Sequence, residues 1–332
     1  MRFLKILGVI LLLLIPVYFF GPKPSQPKLT IDLPVVPTDA KDLEMYIANN
    51  EAKHKIKKDN EARIVWLNDS LKQKTEYAVV YIHGFSASQE EGDPVHINFT
   101  KKFGCNLYLA RLAEHGLDTI ECMLNLTADK LWNSAKEAYA IGKQIGQKII
   151  IIGTSTGGTL ALKLASVYPE IAGLILLSPN IEINDGFAWM LNNPWGLQLA
   201  KFVKGGSYNY SSDTSTQYKK YWYPQYRVEA LVQLEELVEF TMRGSVFEKI
   251  TQPVLLLYYY KDEDHQDEVV KVSAMRRMFA QLGTPPDKKR ETALPNAGDH
   301  VIGSYIKSKD LHSVEAEIEK FAKEIMQLKP VP

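Results

Sequence analysis

The sequence predicts an α/β fold: a mostly parallel, doubly wound sheet with helices on both faces and an aromatic-rich insertion between two late strands. Three observations carry this. From about residue 60, short β-branched and aliphatic runs alternate with helical patterns. Several of those runs are continuously apolar, as in the four isoleucines at 149–152, which suits strands covered on both faces. Residues 182–226 then break the rhythm and hold eleven aromatic residues.

Composition narrows the field. Of 332 residues, 45% are hydrophobic and 23% charged, so the chain can bury a core and is not disordered. Lys plus Arg and Asp plus Glu are each 39, so no basic excess exists to follow a phosphate backbone and nucleic acid is not an expected partner. The two cysteines, Cys105 and Cys122, make no disulfide framework and no zinc-type pair. Two buried or partly buried thiols are expected instead.

Along the chain, Arg2 and Lys5 precede fifteen residues, 6–20, that are apolar apart from Pro16. A basic start followed by an apolar run reads as an export signal. Residues 1–21 are therefore expected to be a signal anchor, or a signal peptide. Either places the body outside the cytoplasm, and an anchor makes the membrane a partner. Residues 22–59 read as a linker and N-terminal arm, stiffened by prolines.

Strands are expected at 63–67, 77–82, 107–110, 148–152, 172–177, 254–259 and 291–294. Helices are expected near 94–103, 128–145, 157–168, 269–282 and 314–328. The core then spans 60–181 and 227–330. The aromatic insertion, 182–226, has no clear strand. It falls at the C-terminal edge of the sheet, where open α/β sheets bind ligands, and is expected to cap a site there.

The chemistry starts where the strand at 148–152 runs into Gly153-Thr154-Ser155-Thr156-Gly157 and then a helix. Gly-x-Ser-x-Gly in that setting is a turn so sharp that the serine takes a strained backbone conformation, and its neighbours two away need to be glycine. The strain exposes the Ser155 hydroxyl above the sheet, and the helix N-terminus behind it favours a developing oxyanion. A serine hydroxyl needs a base. Of the histidines beyond Ser155, His312 opens the last helix and His265 lies among acids. His300 lies in a glycine-containing loop between the last strand and the last helix, where it can swing over the serine. An acid should follow the strand at 254–259. Asp262 is the first carboxylate after it and is the expected one; Asp267 is the alternative if the loop is longer. The acidic run does not fit a calcium loop, since Asp267 and Ser273 stand where Gly and Glu are needed. The oxyanion donors are expected to be the N–H groups of Thr156 and of Phe85, the latter in His83-Gly84-Phe85 after the strand at 77–82. His83 is then expected to bond loop backbone rather than act as the base.

These pieces stand in an order that resembles the α/β-hydrolase superfamily, in the branch of monoacylglycerol lipases, carboxylesterases and serine aminopeptidases. The matching segments are His83-Gly84-Phe85, Leu112-Ala113-Glu114-His115-Gly116, Gly153 to Gly158, Leu177-Ser178-Pro179-Asn180, the Asp262 loop and His300. Thr154 and Thr156 replace the more usual His and Met beside the serine. The resemblance implies the α/β-hydrolase fold, a Ser155–His300–Asp262 triad, oxyanion donors at Phe85 and Thr156, and no metal or organic cofactor. The expected substrate is a partly apolar acyl ester. An aminopeptidase or thioesterase on the same triad, and a non-catalytic binding protein on this fold, are the alternatives.

Overall fold

The computed structural model describes residues 15–331. Its centre is a seven-stranded sheet built from β1 (Arg63–Val65), β2 (Thr75–Ile82), β3 (Asn106–Leu109), β4 (Gly146–Thr154), β5 (Gly173–Leu177), β8 (Val254–Tyr258) and β11 (Lys289–Ala293). The strand order is β1-β3-β2-β4-β5-β8-β11, parallel throughout except for β1 on β3. All seven expected strands are therefore present. Every side chain from Ile149 to Thr154 and along β5 and β8 is buried, because helices cover both faces. Burying each such Ile or Leu contributes about 2 kcal/mol.

The helices follow sequence signals at their ends. The long helix α3 (Ala128–Ile145) starts at Thr127, whose hydroxyl accepts from the Lys130 N–H; Asp129 sits in its first turn and Lys143 in its last. The final helix α10 (Leu311–Glu324) is capped by Asp310, which accepts from the Ser313 N–H. With α2 (Val95–Phe103), α4 (Thr156–Val167) and α9 (Val272–Gln281), these are the five expected helices. Others were not expected, among them the single turn α8 (Gly244–Phe247). Inside the N-terminal arm, α1 (Ala40–Glu51) is capped by Asp39 and buries Leu43 and Ile47, one turn apart. After the cap, α7 (Val228–Thr241) packs Ala230, Leu234 and Leu237 inward.

The arm is not a free linker. The Lys28 and Leu29 N–H groups donate to the Asp129 carboxylate at 3.0 and 2.8 Å, and Trp132 Nε1 donates to the Thr30 carbonyl at 2.7 Å. The expected anchor is corrected. Among the described residues no helix is long and apolar enough to cross a membrane; a span needs about 20 residues. The described part of the apolar run is helical only over 15–19, and the chain then turns at Gly21. There the Trp195 N–H donates to the Pro22 carbonyl and Trp195 Nε1 to the Val17 carbonyl, both at 2.9 Å. Residues 1–14 of that expected segment lie outside the described residues. The membrane partner and the placement outside the cytoplasm rested on that segment and are withdrawn with it. Cys105 and Cys122 are both free and buried, and burial pushes the Cys105 thiol up to about 12.

Between β5 and β8 the chain forms a cap before returning through α7. It holds helices α5 (Gly196–Val203) and α6 (Thr216–Tyr221) and a hairpin of β6 (Tyr208–Tyr210) with β7 (Gln225–Arg227). The hairpin is a departure from the reading of this stretch as strandless: three-residue strands are too short to show a period. The cap's aromatics divide by role. Tyr221, Trp222 and Tyr223 are buried, and the Tyr223 N–H donates to the Ser86 carbonyl at 2.9 Å. Phe187 and Phe202 are exposed.

Candidate active site

Ser155 ends β4 and begins α4, with φ 51° and ψ −116°. A non-glycine residue held there stores about 1–3 kcal/mol of strain. The surroundings enforce it. The Ser155 N–H donates to the Leu177 carbonyl at 3.0 Å, and the Ser155 carbonyl accepts from Asn180 N–H at 3.0 Å, so the turn is tied to the end of β5. The flanking glycines are required by space. A Cβ on Gly157 would lie 1.9 Å from the Ile82 carbonyl oxygen, and one on Gly153 would lie 2.6 Å from the Gly157 backbone.

His300 Nδ1 lies 2.6 Å from Asp267 Oδ2. The other oxygen, Oδ1, accepts from the Val269 and Val270 N–H groups at 2.9 and 3.0 Å. That pair fixes the proton on Nδ1 and leaves Nε2 as the free nitrogen. Nε2 is buried and has no partner among the described residues. Burial disfavours a charged imidazole, but the Asp267 carboxylate outweighs it, by charge and by hydrogen bond. Glu91 and Asp299 add to this, and the His300 pKa is raised above its ordinary value.

Asp262 is not brought to this histidine. Beyond β8 the chain folds into a small hairpin, β9 (Tyr260–Asp262) with β10 (His265–Gln266). Asp262 rides at its tip, half exposed, and accepts from His265 Nδ1 at 2.7 Å. The hairpin then returns beside its own start, where the Asp267 N–H donates to the Tyr259 carbonyl at 3.2 Å. Asp267 is thus the first carboxylate after β8 in space, although Asp262 is first in sequence. The choice of Asp262 is corrected to Asp267 for this reason.

Ser155, His300, Phe85 and Thr156 line one cavity of about 900 Å³ beneath the cap. Among the described residues neither the Phe85 N–H nor the Thr156 N–H donates to another group. His83 is fully buried. Its Nε2 accepts the Leu112 N–H at 3.0 Å, so its Nδ1 carries the proton and donates to the Gly84 carbonyl at 2.8 Å. Burial, with His115 beside it, holds the His83 pKa well below the ordinary imidazole value, so the ring stays neutral. Sequence reasoning missed charged groups on the cavity wall, among them Glu91, in a short 3-10 turn, and Lys307, whose Nζ lies 2.5 Å from Asp213 Oδ2 in the cap. Neither belongs to a motif or a period, so no local signal marks them.

The cavity lining is mixed: Ala188, Leu191, Leu199, Val203 and Leu234 contribute apolar surface, while Asn209, Ser211, Asp213 and Lys307 contribute polar and charged groups. Tyr218 and Trp222 are stacked at 5.3 Å between their ring centres and face the same space.

A family model described as serine aminopeptidase, S33, matches residues 129–295, about half of the chain. A thermostable monoacylglycerol lipase of Bacillus sp. (strain H-257) is 30% identical over 188 residues, covering 56% of this chain and 70% of that protein. Among solved structures, one reported for the metagenome-derived lipolytic enzymes LipS and LipT superposes with a TM-score of 0.65 at 18% identity, covering 81% of this chain and 99% of that one. A monoacylglycerol lipase of Paleococcus ferrophilus superposes with a TM-score of 0.55 at 15% identity, covering 80% and 99%. At such identities the structural likeness speaks for the fold.

Proposed function

Because the chain belongs to the α/β-hydrolase superfamily, in its S33 and lipase–esterase branch, we propose that it is a serine hydrolase cleaving a carboxylic ester through Ser155, His300 and Asp267. The observation that carries this reading is the His300–Asp267 pair: its Nε2 is left without a partner among the described residues, and His300 lines the cavity that also holds the strained Ser155. Ser155 Oγ attacks the ester carbonyl and His300 Nε2 takes its proton, then returns it to the leaving alcohol. Asp267 holds the ring and stabilises the imidazolium. The Phe85 and Thr156 N–H groups receive the oxyanion, and water, activated by the same imidazole, releases the acid.

The mixed lining supports an ester with an aliphatic acyl chain and a small polar alcohol, of the monoacylglycerol kind: the aliphatic side chains suit the chain, and Asn209, Ser211 and Lys307 suit the hydroxyl groups. An aminopeptidase would need an acid in the cap free to hold an ammonium. Two cap acids line the cavity, Asp213, which Lys307 neutralises, and Asp185, which has no cation partner among the described residues, so aminopeptidase action stands as the second reading. Turnover of p-nitrophenyl esters and labelling by a fluorophosphonate probe test the reading. Both should be lost in Ser155→Ala; undiminished turnover in that variant would refute it.

A further inference from the structure

Glu91 has no role in the mechanism above, yet it is almost fully buried beside it. It lies in the 3-10 turn Gln89–Gly92 and lines the same cavity as Ser155 and His300. Its Oε2 accepts the Gly84 N–H. A Cβ on Gly84 would lie 2.8 Å from Glu91 Oε1 and 3.1 Å from Ser155 Cβ, so this carboxylate, the loop after β2 and the serine pack in contact. Burial pushes the Glu91 carboxyl up to about 7, against the Gly84 hydrogen bond. A group so expensive to bury is expected to be placed by the fold.

Its placement is over-determined. The Glu91 N–H donates to the Ser88 carbonyl at 3.1 Å, and Gln89 is held by His96 Nε2 at 3.0 Å and, through its own side chain, by the Asp59 carbonyl at 3.0 Å. The Tyr305 N–H donates to the Asp93 carbonyl at 2.9 Å, which joins this turn to the loop beyond His300.

The consequence falls on Gly84. Glycine is the freest residue in the chain, and its two torsions set the direction of the next N–H. The Gly84 carbonyl is held by His83 Nδ1 and its N–H by Glu91. The Phe85 N–H is trans to that carbonyl across a planar peptide, so it points away from the His83 ring. We propose that Glu91 is a positioning residue for the oxyanion loop: by accepting the Gly84 N–H it locks the link that aims the Phe85 N–H above Ser155. The inference rests on the serine-hydrolase reading and assigns Glu91 a task within it. Reach is what matters here, since donors aimed in advance lower the barrier without reorganising during reaction.

Two conservative variants separate reach from charge. Glu91→Gln keeps an oxygen at the same distance and loses the charge. Glu91→Asp keeps the charge and draws it back by one methylene. Steady-state p-nitrophenyl ester kinetics, with thermal unfolding alongside and Ser155→Ala as control, should show Glu91→Gln within about threefold of wild type. Glu91→Asp should lose about tenfold or more in kcat, with KM within about twofold, as for a weakened oxyanion donor. The reverse order, no loss in either variant, or a loss confined to KM would overturn the proposal. Wild-type protein without Ser155-dependent turnover would instead refute the serine-hydrolase reading, and this proposal with it.

Discussion

The Asp267 carboxylate is held from both sides: Oδ2 receives His300 Nδ1 at 2.6 Å, while Oδ1 receives two backbone N–H groups, from Val269 and Val270. An acid fixed in this way keeps the imidazole in one tautomer and one orientation. Asp267→Asn should therefore lower kcat by about 10³- to 10⁴-fold. Asp262→Asn alters only exposed contacts, to the His265 ring and to the Asp264 and His265 N–H groups, and should stay within about twofold. Steady-state kinetics on one ester compares them, and a larger loss in the Asp262 variant would return that residue to the site.

In the proposed mechanism His300 acts as the base and must be neutral, so kcat/KM should rise with pH through a value above that of ordinary imidazole and level off beyond it. Stability runs the other way. The charged imidazole's favourable contribution is full below the unfolded-state value and is lost as pH rises through the higher folded-state value. Asp267→Asn removes the main partner and should shift the acid limb of any residual activity to lower pH. A pH–rate profile for both proteins checks this; a wild-type limb at or below the ordinary imidazole value would contradict it.

The elbow glycines make a stability prediction. Gly157→Ala would drive a Cβ to 1.9 Å from the Ile82 carbonyl oxygen, at the junction of β2 and β4. Backbone must move to admit it, and the variant should lose about 3 kcal/mol or more. Chemical denaturation measures the change, and a loss under about 1 kcal/mol would mean that the elbow tolerates relaxation.

The cap is pinned to the loop beyond His300 by Lys307 and Asp213. The lysine's hydrogen bond is the main cause holding the Asp213 carboxyl down at about 2. The Asp213 carboxylate, and with it this contact, is lost only as pH falls through that depressed value. Lys307→Met should raise KM for a glycerol-headed ester by about threefold or more and affect a p-nitrophenyl ester less, because the lost charge lines the cavity beside the polar groups of Asn209 and Ser211 in its lining. Equal KM values for both substrates, relative to wild type, would remove Lys307 from substrate contact.

Much of this molecule was legible before any coordinates. The seven strands, the elbow at Ser155 and the loop carrying His300 are written in neighbouring residues: apolar runs for buried strands, glycines two away from a serine for the sharp turn. The anchor read from residues 6–20 was not upheld among the described residues, where the helix over 15–19 gives way to a turn at Gly21 and contacts with Trp195. Apolar composition over so short a run does not state what the chain packs against.

What the tertiary structure alone decided is which distant groups meet. Asp267 displaces Asp262 because seven residues fold back as a hairpin, and a count along the chain does not register a fold-back. Glu91 reaches Gly84, and Lys307 reaches Asp213, across segments with no shared pattern. Local propensity and periodicity act between near neighbours in sequence. The closing of a carboxylate onto an imidazole 33 residues away depends on how strands and loops stack, and so is settled only when the sheet has formed.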